Sequence, residues 1–209
     1  MKKTFILFIV AIILCGSMFA QEIDTWKNVR LYKGANTMTA IVTRIRHSAA
    51  VADDVTTKGN FYYKKPDRMC MTFNDGKDML LMDGAVFTMI NNGKKSVAKG
   101  STHKQFESLR AIVHQLTSNE SNGIDIGELA DVKMTKQTNM CVLTITPVAE
   151  DAKAKRKMMF SSFVLTIDTQ STELKSLRMN EKGDNYTLYK FSGYVLNAAV
   201  KDDIFNTDE

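Results

Sequence analysis

Histidine, cysteine and paired acids are the side chains from which most sites are built, and here they are sparse and scattered. The three histidines are His47, His103 and His114. No two stand at the close spacing that lets neighbouring imidazoles share a zinc ion, and there is no Cys-x-x-Cys. His114 falls on the flank of a helical apolar stripe, which suits a surface residue better than a base. Asp53-Asp54 and Asp202-Asp203 are adjacent acids of the kind that belong to turns and solvated faces. There is no G-x-S-x-G elbow, no phosphate-cradling Gly-rich loop and no dinucleotide fingerprint. Triads assembled in space leave no local spacing, but nothing local points to a nucleophile, a metal or a cofactor. The expectation is a protein that is not an enzyme and carries no cofactor.

Methionine is the residue that stands out. The chain has 13, and Met69, Met71, Met79, Met82, Met89, Met158 and Met159 fall in segments that read as strands. An unbranched, polarizable side chain suits a surface that adapts to varied apolar guests. Ordinary core packing is the plainer reading of the same residues, and composition alone does not separate the two.

The elements that would carry these residues are mostly strands. Along residues 55–73 the odd positions include Phe61, Tyr63, Met69, Met71 and Phe73, while Lys58, Asn60, Lys64, Arg68 and Thr72 fall on even ones. That period of two predicts two strands with one apolar face, joined near Pro66. Asn74-Asp75-Gly76 marks a turn, and Asp83-Gly84 between apolar runs predicts a hairpin. Further strands are expected over 38–47, 132–136, 141–146, 158–167, 174–179 and 186–191, with 96–98 offering no more than the start of another. In 103–118 the period changes, and Phe106, Leu109, Ile112, Val113 and Leu116 recur at spacings of three and four. This is one apolar stripe on a helix of about four turns. A short helix is expected over 22–33, stopped by Gly34, with a helical turn near 128–131. Residues 150–157 read as a charged exposed connection, and 194–205 as an irregular segment ending in an apolar anchor. The fold class is therefore mainly β: a curved antiparallel sheet of nine or ten strands with helices on one side. Strands and helices do not alternate, so a doubly wound parallel sheet is excluded.

Residues 1–20 have the three-part order of a cleaved secretory signal: Lys2 and Lys3, an apolar run, then Gly16, Ser17 and Ala20. The run is about ten residues, half of what a membrane span needs. Cleavage after Ala20 leaves residues 21–209 as a single domain. Acylation at Cys15 is the alternative, against which the large Leu14 counts. The net charge of +5 is small and spread along the chain. It argues against a nucleic-acid binder, which would cluster its basic residues. It permits attraction to an anionic membrane surface. Export places Cys70 and Cys141 in a disulfide-permissive compartment, and the sequence leaves open whether they pair.

The segment 59–84, GNFYYKKPDRMCMTF and after a short gap MLLMDG, resembles the core signature of the LolA family of periplasmic lipoprotein carriers. The matching features are Gly59, the aromatic strand at 61–63, Lys65-Pro66, the apolar strand at 69–73 and a strand ending in Asp83-Gly84. The later order is similar too, with a helix at 103–118, Thr146-Pro147, Asp168 and a final Phe205. The resemblance implies an open, incomplete β-barrel whose mouth is covered by helices, with an apolar cavity for acyl chains. It implies a periplasmic monomer that shields lipoprotein acyl chains between inner and outer membrane. Its partners would be an inner-membrane ABC release complex and an outer-membrane acceptor. Carriage of another exported lipid or glycolipid, or lipoprotein sensing on the same fold, are the alternatives.

On this reading Phe61, Tyr63, Met69, Met71, Phe73, Leu81, Phe87 and Met89 line the sheet side of the cavity. Phe106, Leu109, Ile112, Val113 and Leu116 line the lid side. The family position before the proline is often an arginine that holds the helical lid. Here it is Lys65, which lacks the planar multi-donor fork. A weaker or differently made latch is expected, a snorkelling surface lysine being the alternative.

Overall fold

The computed structural model describes residues 25–118 and 124–207; residues 1–20, expected to be a signal, and Cys15 among them, lie outside these. Eleven strands form one sheet in which each hydrogen-bonded neighbour is antiparallel. They are β1 (Thr37–His47), β2 (Val55–Lys64), β3 (Arg68–Phe73), β4 (Asp78–Asp83), β5 (Val86–Asn91) and β6 (Lys94–Val97). The second half comprises β7 (Ala130–Gln137), β8 (Met140–Pro147), β9 (Phe160–Asp168), β10 (Leu174–Glu181) and β11 (Tyr186–Leu196). The order across the sheet is β6-β5-β4-β3-β2-β1-β11-β10-β9-β8-β7. Two runs of hairpins are thus joined by a central seam between the first and last strands. The count exceeds the expected nine or ten because residues 94–97 make a full edge strand. Its four residues are all exposed, and its lysines suit an edge that must not recruit another chain.

The sheet curls. Register shifts at Thr39/Ile41 in β1, Leu174/Ser176 in β10 and Asn180/Glu181 at the end of β10 increase the local twist. The curl brings strands from near opposite ends of the sheet to one helix, α1 (Gly100–Thr117). Phe106 of α1 stacks on Phe87 of β5 at 5.2 Å and meets Phe163 of β9 at 6.0 Å between ring centroids. The sheet's concave face carries the main core, with Met38, Val42, Phe61, Tyr63, Leu143, Ile145, Phe163, Leu165 and Phe191 all buried. Gly59 is needed for this packing, because a Cβ there would lie 2.0 Å from the Thr72 carbonyl oxygen and 2.5 Å from the Phe73 ring.

Two local expectations change. The helix expected over 22–33 is, within the described residues, a single 3-10 turn, Trp26–Asn28, followed by irregular chain. Its backbone groups find tertiary partners instead: the Leu31 N–H donates to the Leu116 carbonyl at 2.7 Å and the Tyr32 N–H to that of Thr172 at 2.8 Å. Val29, Leu31, Tyr32 and Ala35 are buried by this arrangement. The charged connection at 150–157 contains a short helix, α3 (Ala152–Lys157), following the still shorter α2 (Ile126–Leu129). Asp151 caps α3 by accepting the Ala154 N–H at 2.6 Å, and Lys155, Arg156 and Lys157 occupy its last turn.

The convex face holds a small second cluster of Cys70, Leu81 and Phe205, with Tyr62, Met79, Val200 and Ile204 against it. The chain's last 3-10 turn, Asp202–Phe205, is strapped there. Asp202 bonds Lys64 and Arg68 at 2.7 Å each, and the Arg68 guanidinium lies 4.4 Å from the Phe205 ring centroid. Cys70 and Cys141 are both free thiols. They sit on β3 and β8, well apart in the sheet, and belong to the convex and concave clusters respectively.

Candidate functional site

The concave face divides into two ends. At one end α1 fills it. Phe106, Leu109, Ile112, Val113 and Leu116 are all buried on the helix face that meets the sheet. Phe61, Tyr63, Met71, Phe73 and Phe87 are buried on the sheet side, and Met69 is half-buried against the same core. The two sets therefore pack on one another. Gln105, buried at the start of α1, ties the helix to β9: its Nε2 donates to the Phe160 carbonyl, and its Oε1 accepts the Met159 N–H at 3.0 Å.

Leu81 is not in this set. It lies on the convex face, opposite Cys70 in the β3–β4 ladder and beneath Phe205. The turn after β3 pairs Phe73 with Asp78, so the even-numbered Leu80 and Met82 point inward. Parity does not carry across a turn unless the length of the turn is known. The next turn pairs Met82 with Phe87, which restores odd parity to Phe87 and Met89.

Lys65 does not hold the helix. It is exposed, and among the described residues its side chain makes no hydrogen bond or ion pair; only its backbone N–H is engaged, to the Asn36 carbonyl at 2.9 Å. The tie runs the other way. Arg110 of α1 donates from Nη1 to Asp67 at 2.7 Å, two residues beyond Lys65, while its Nε and Nη2 bond Glu107. Asp67 is buried. These two carboxylates hold the Arg110 guanidinium above its usual range, Glu107 having the larger effect, although burial opposes it. The Thr117 hydroxyl lies 3.2 Å from the Pro66 carbonyl at the other end of the helix. The cation thus comes from the helix and the anion from the turn, with the planar fork still supplied by an arginine.

At the other end the concave face is open. A cleft of about 570 Å³ runs between β1, β11, β10 and β9 on one side and β3, β4 and β5 on the other. Phe73, Leu80, Met89, Phe160, Met179 and Tyr189 supply its apolar lining, and Arg46, His47, Asp53 and Glu181 its polar rim. Val51, Val55 and Met159, which also line it, are among the exposed large hydrophobic residues. The volume falls inside the range of about 300–1,000 Å³ usual for small-molecule sites. Of the expected sheet-side residues, Phe73 and Met89 reach it.

A buried ion pair closes one wall. Arg44 Nη2 bonds Asp78 Oδ2 at 2.7 Å, and the two residues are only 5% and 4% exposed. The guanidinium sits 4.3 Å from the Phe73 ring centroid. Asp78 also accepts the Asn92 backbone N–H at 2.8 Å and the Asn74 amide at 3.0 Å. The Asn92 bond, followed by that from Arg44, holds its carboxyl below the usual range. Among the described residues Arg44 Nε is buried without a partner. Tyr189 pairs with Arg44 across the seam, and burial pushes its hydroxyl up to about 12, so it is a neutral donor at physiological pH. Arg44, Met179 and Tyr189 were not picked out from the sequence. The signal was there in alternation: even positions 38–44 of β1 and odd positions 177–191 of the last strands carry the inward residues.

An open antiparallel barrel, with its apolar interior partly plugged by an amphipathic helix and partly hollow, defines a binding protein of the lipid-carrier fold. Residues 33–208 match the family described as Outer membrane lipoprotein carrier protein LolA, and the chain belongs to that family. Similar solved structures include a LolA superfamily protein from Nitrosomonas europaea, at 10% identity and TM-score 0.41, covering 87% of this chain and 94% of that one. A putative outer membrane lipoprotein-sorting protein domain from Vibrio parahaemolyticus is similar at 10% identity and TM-score 0.43, covering 84% and 92%. The MucA/MucB complex structure of Pseudomonas aeruginosa matches at 11% identity and TM-score 0.42, covering 82% of this chain and 55% of that one. A search of curated proteins returned no match. Among the described residues no helix is long and apolar enough to cross a membrane.

Proposed function

We propose that this chain is a periplasmic carrier that shields the acyl chains of lipoproteins and moves them from the inner to the outer membrane. The observation that carries the reading is the apolar cleft, continuous with the core beneath α1. Each CH₂ taken out of water contributes about 0.8 kcal/mol, so a lipoprotein in transit needs its chains covered. The carrier must also let go. Flexible methionines in the lining accommodate chains of differing length without a tight fixed fit. The hollow end accepts a chain with α1 in place, and a larger acyl anchor displaces the helix from the other end. Arg110–Asp67 is the contact that yields in that step, in the place expected of Lys65.

The leader at residues 1–20 directs export. An inner-membrane ABC complex loads the carrier and an outer-membrane acceptor unloads it. Phe73 and Met89 contact the guest first. Phe61, Tyr63, Met69, Met71 and Phe87, with the five apolar residues of α1, contact it once the helix has moved.

The test is release. Purified mature protein is added to spheroplasts of the source bacterium that make labelled lipoproteins. Lipoproteins recovered in the soluble fraction as one-to-one complexes support the reading. No release from spheroplasts that respond to another competent carrier overturns it, and mass spectrometry of co-purified lipids then identifies a different exported guest.

A further inference from the structure

We infer that Arg44 is the hydrogen-bonding anchor of the cleft, and that it takes an ester or amide carbonyl at the head of an acyl chain. The inference rests on the carrier reading and adds to it the chemical group recognised at this end.

Three features of Arg44 point to a ligand. It is nearly fully buried, yet among the described residues only its Nη2 is hydrogen-bonded, and Nε is buried with no partner. Nε has no accessible surface, but among the described residues Nη1 is also unbonded and is not one of the fully buried atoms, so Nη1 is the donor open to the cleft. The guanidinium is fixed in place by Asp78 on one side and the Phe73 ring on its face. It lines an apolar cleft, where a long chain would bring few polar atoms besides its carbonyl. Tyr189 stands opposite Arg44 in the ladder and makes no hydrogen bond among the described residues, so its hydroxyl supplies a second donor.

Charge decides which acceptor fits. Asp78 already neutralises Arg44. Arg46, also at the cleft, bonds the neutral Asn91 amide at 3.0 Å and keeps its charge. Asp53 and Glu181 add negative charge to the rim. With Asp78, three carboxylates stand against two arginines, so an anionic headgroup would meet net negative charge, whereas a neutral carbonyl needs only the free Nη1 N–H. The guest group is therefore neutral and accepting, as in the ester-linked chains of a diacylglyceryl anchor.

The experiment changes the ligand before the protein. A diacylglycerol with two octanoyl esters and its dioctyl ether analogue are each used to displace a fluorescent fatty-acid probe from the wild-type protein. The ester is expected to compete about 10-fold more strongly, the effect of one hydrogen bond from a charged donor. Arg44→Met combined with Asp78→Asn, which removes both charges together, is expected to abolish that preference while the protein keeps its far-UV spectrum and cooperative melting. Tyr189→Phe is expected to reduce the preference by a few fold. Equal displacement by ester and ether in the wild type overturns the Arg44 assignment and leaves the carrier reading standing. Tighter competition by the matching phosphatidic acid than by the diacylglycerol overturns the neutral-acceptor assignment. Failure of every acylated competitor to displace the probe overturns the carrier reading itself.

Discussion

The two ends of the concave face are built on the same strands and reach different outcomes. Beneath α1 the inward residues are aromatic and aliphatic, and the helix presents matching rings and branched chains, so the space is filled. At the open end a buried ion pair, methionines and a tyrosine join Phe73, Leu80 and Phe160, and no residue of the helix lines the cleft. The closed end is a core: its side chains are buried against one another and its rings are in contact. The open end has the apolar lining of a core without its partner. A strand's inward face does not by itself say which of these it will become; the element above it does.

The largest expected effect breaks the closed end. Phe106→Ala removes the ring that joins Phe87 to Phe160 and Phe163, and should lower stability in urea denaturation by about 3–5 kcal/mol. A loss below about 1 kcal/mol would mean that α1 is not the plug it is taken to be. Arg110→Met leaves Asp67 buried without its cation and should cost about 1–3 kcal/mol. Amide exchange should quicken in α1 more than in the sheet; uniform exchange would count against a latch.

Acid should act on the open end. The folded-state pKa of Asp78 is depressed, so its contribution to stability is present above the unfolded-state value of about 4 and is lost as pH falls through the folded one. Stability should therefore drop below about pH 4, and Asp78→Asn should flatten that part of the profile while lowering stability at pH 7. A wild-type profile unchanged by the substitution would remove Asp78 from the account. Met89→Ala, half-buried in the cleft, should cost only about 1 kcal/mol yet weaken acyl-probe binding; the reverse pattern would make it a core residue. The smallest effect on stability is expected on the convex side. Cys70, whose thiol burial pushes up to about 12, should resist thiol reagents at pH 8, and Phe205→Ala should speed its labelling. Rapid labelling of the wild type would show that the strap over it is open.

Much of this was legible because alternation and the helical period are local. The strands at 55–73, the Asp83-Gly84 hairpin and the face of α1 follow from residue order alone. Leu81 was misplaced because its side depends on how many residues the preceding turn uses. Lys65 was assigned a latch by the resemblance, whereas the fork comes from Arg110, a residue outside the apolar stripe that reads as solvent-facing until the turn at Asp67 is placed beside it. Arg44 was passed over for a similar reason: a lone arginine on a strand gains meaning only when Asp78, from the far side of the curl, closes on it.

The seam between β1 and β11 has a kinetic meaning. It pairs Val42 with Phe191 and Arg44 with Tyr189, contacts among the most distant in the chain, while most other ladders join near neighbours in sequence. Closing so long a loop is entropically costly and slow relative to hairpin formation. The walls of the cleft come from both halves, so neither run of hairpins contains it. The site is complete only once this long-range contact has formed, so neither half alone has a place to hold a guest. Binding competence is in this way tied to completion of the fold.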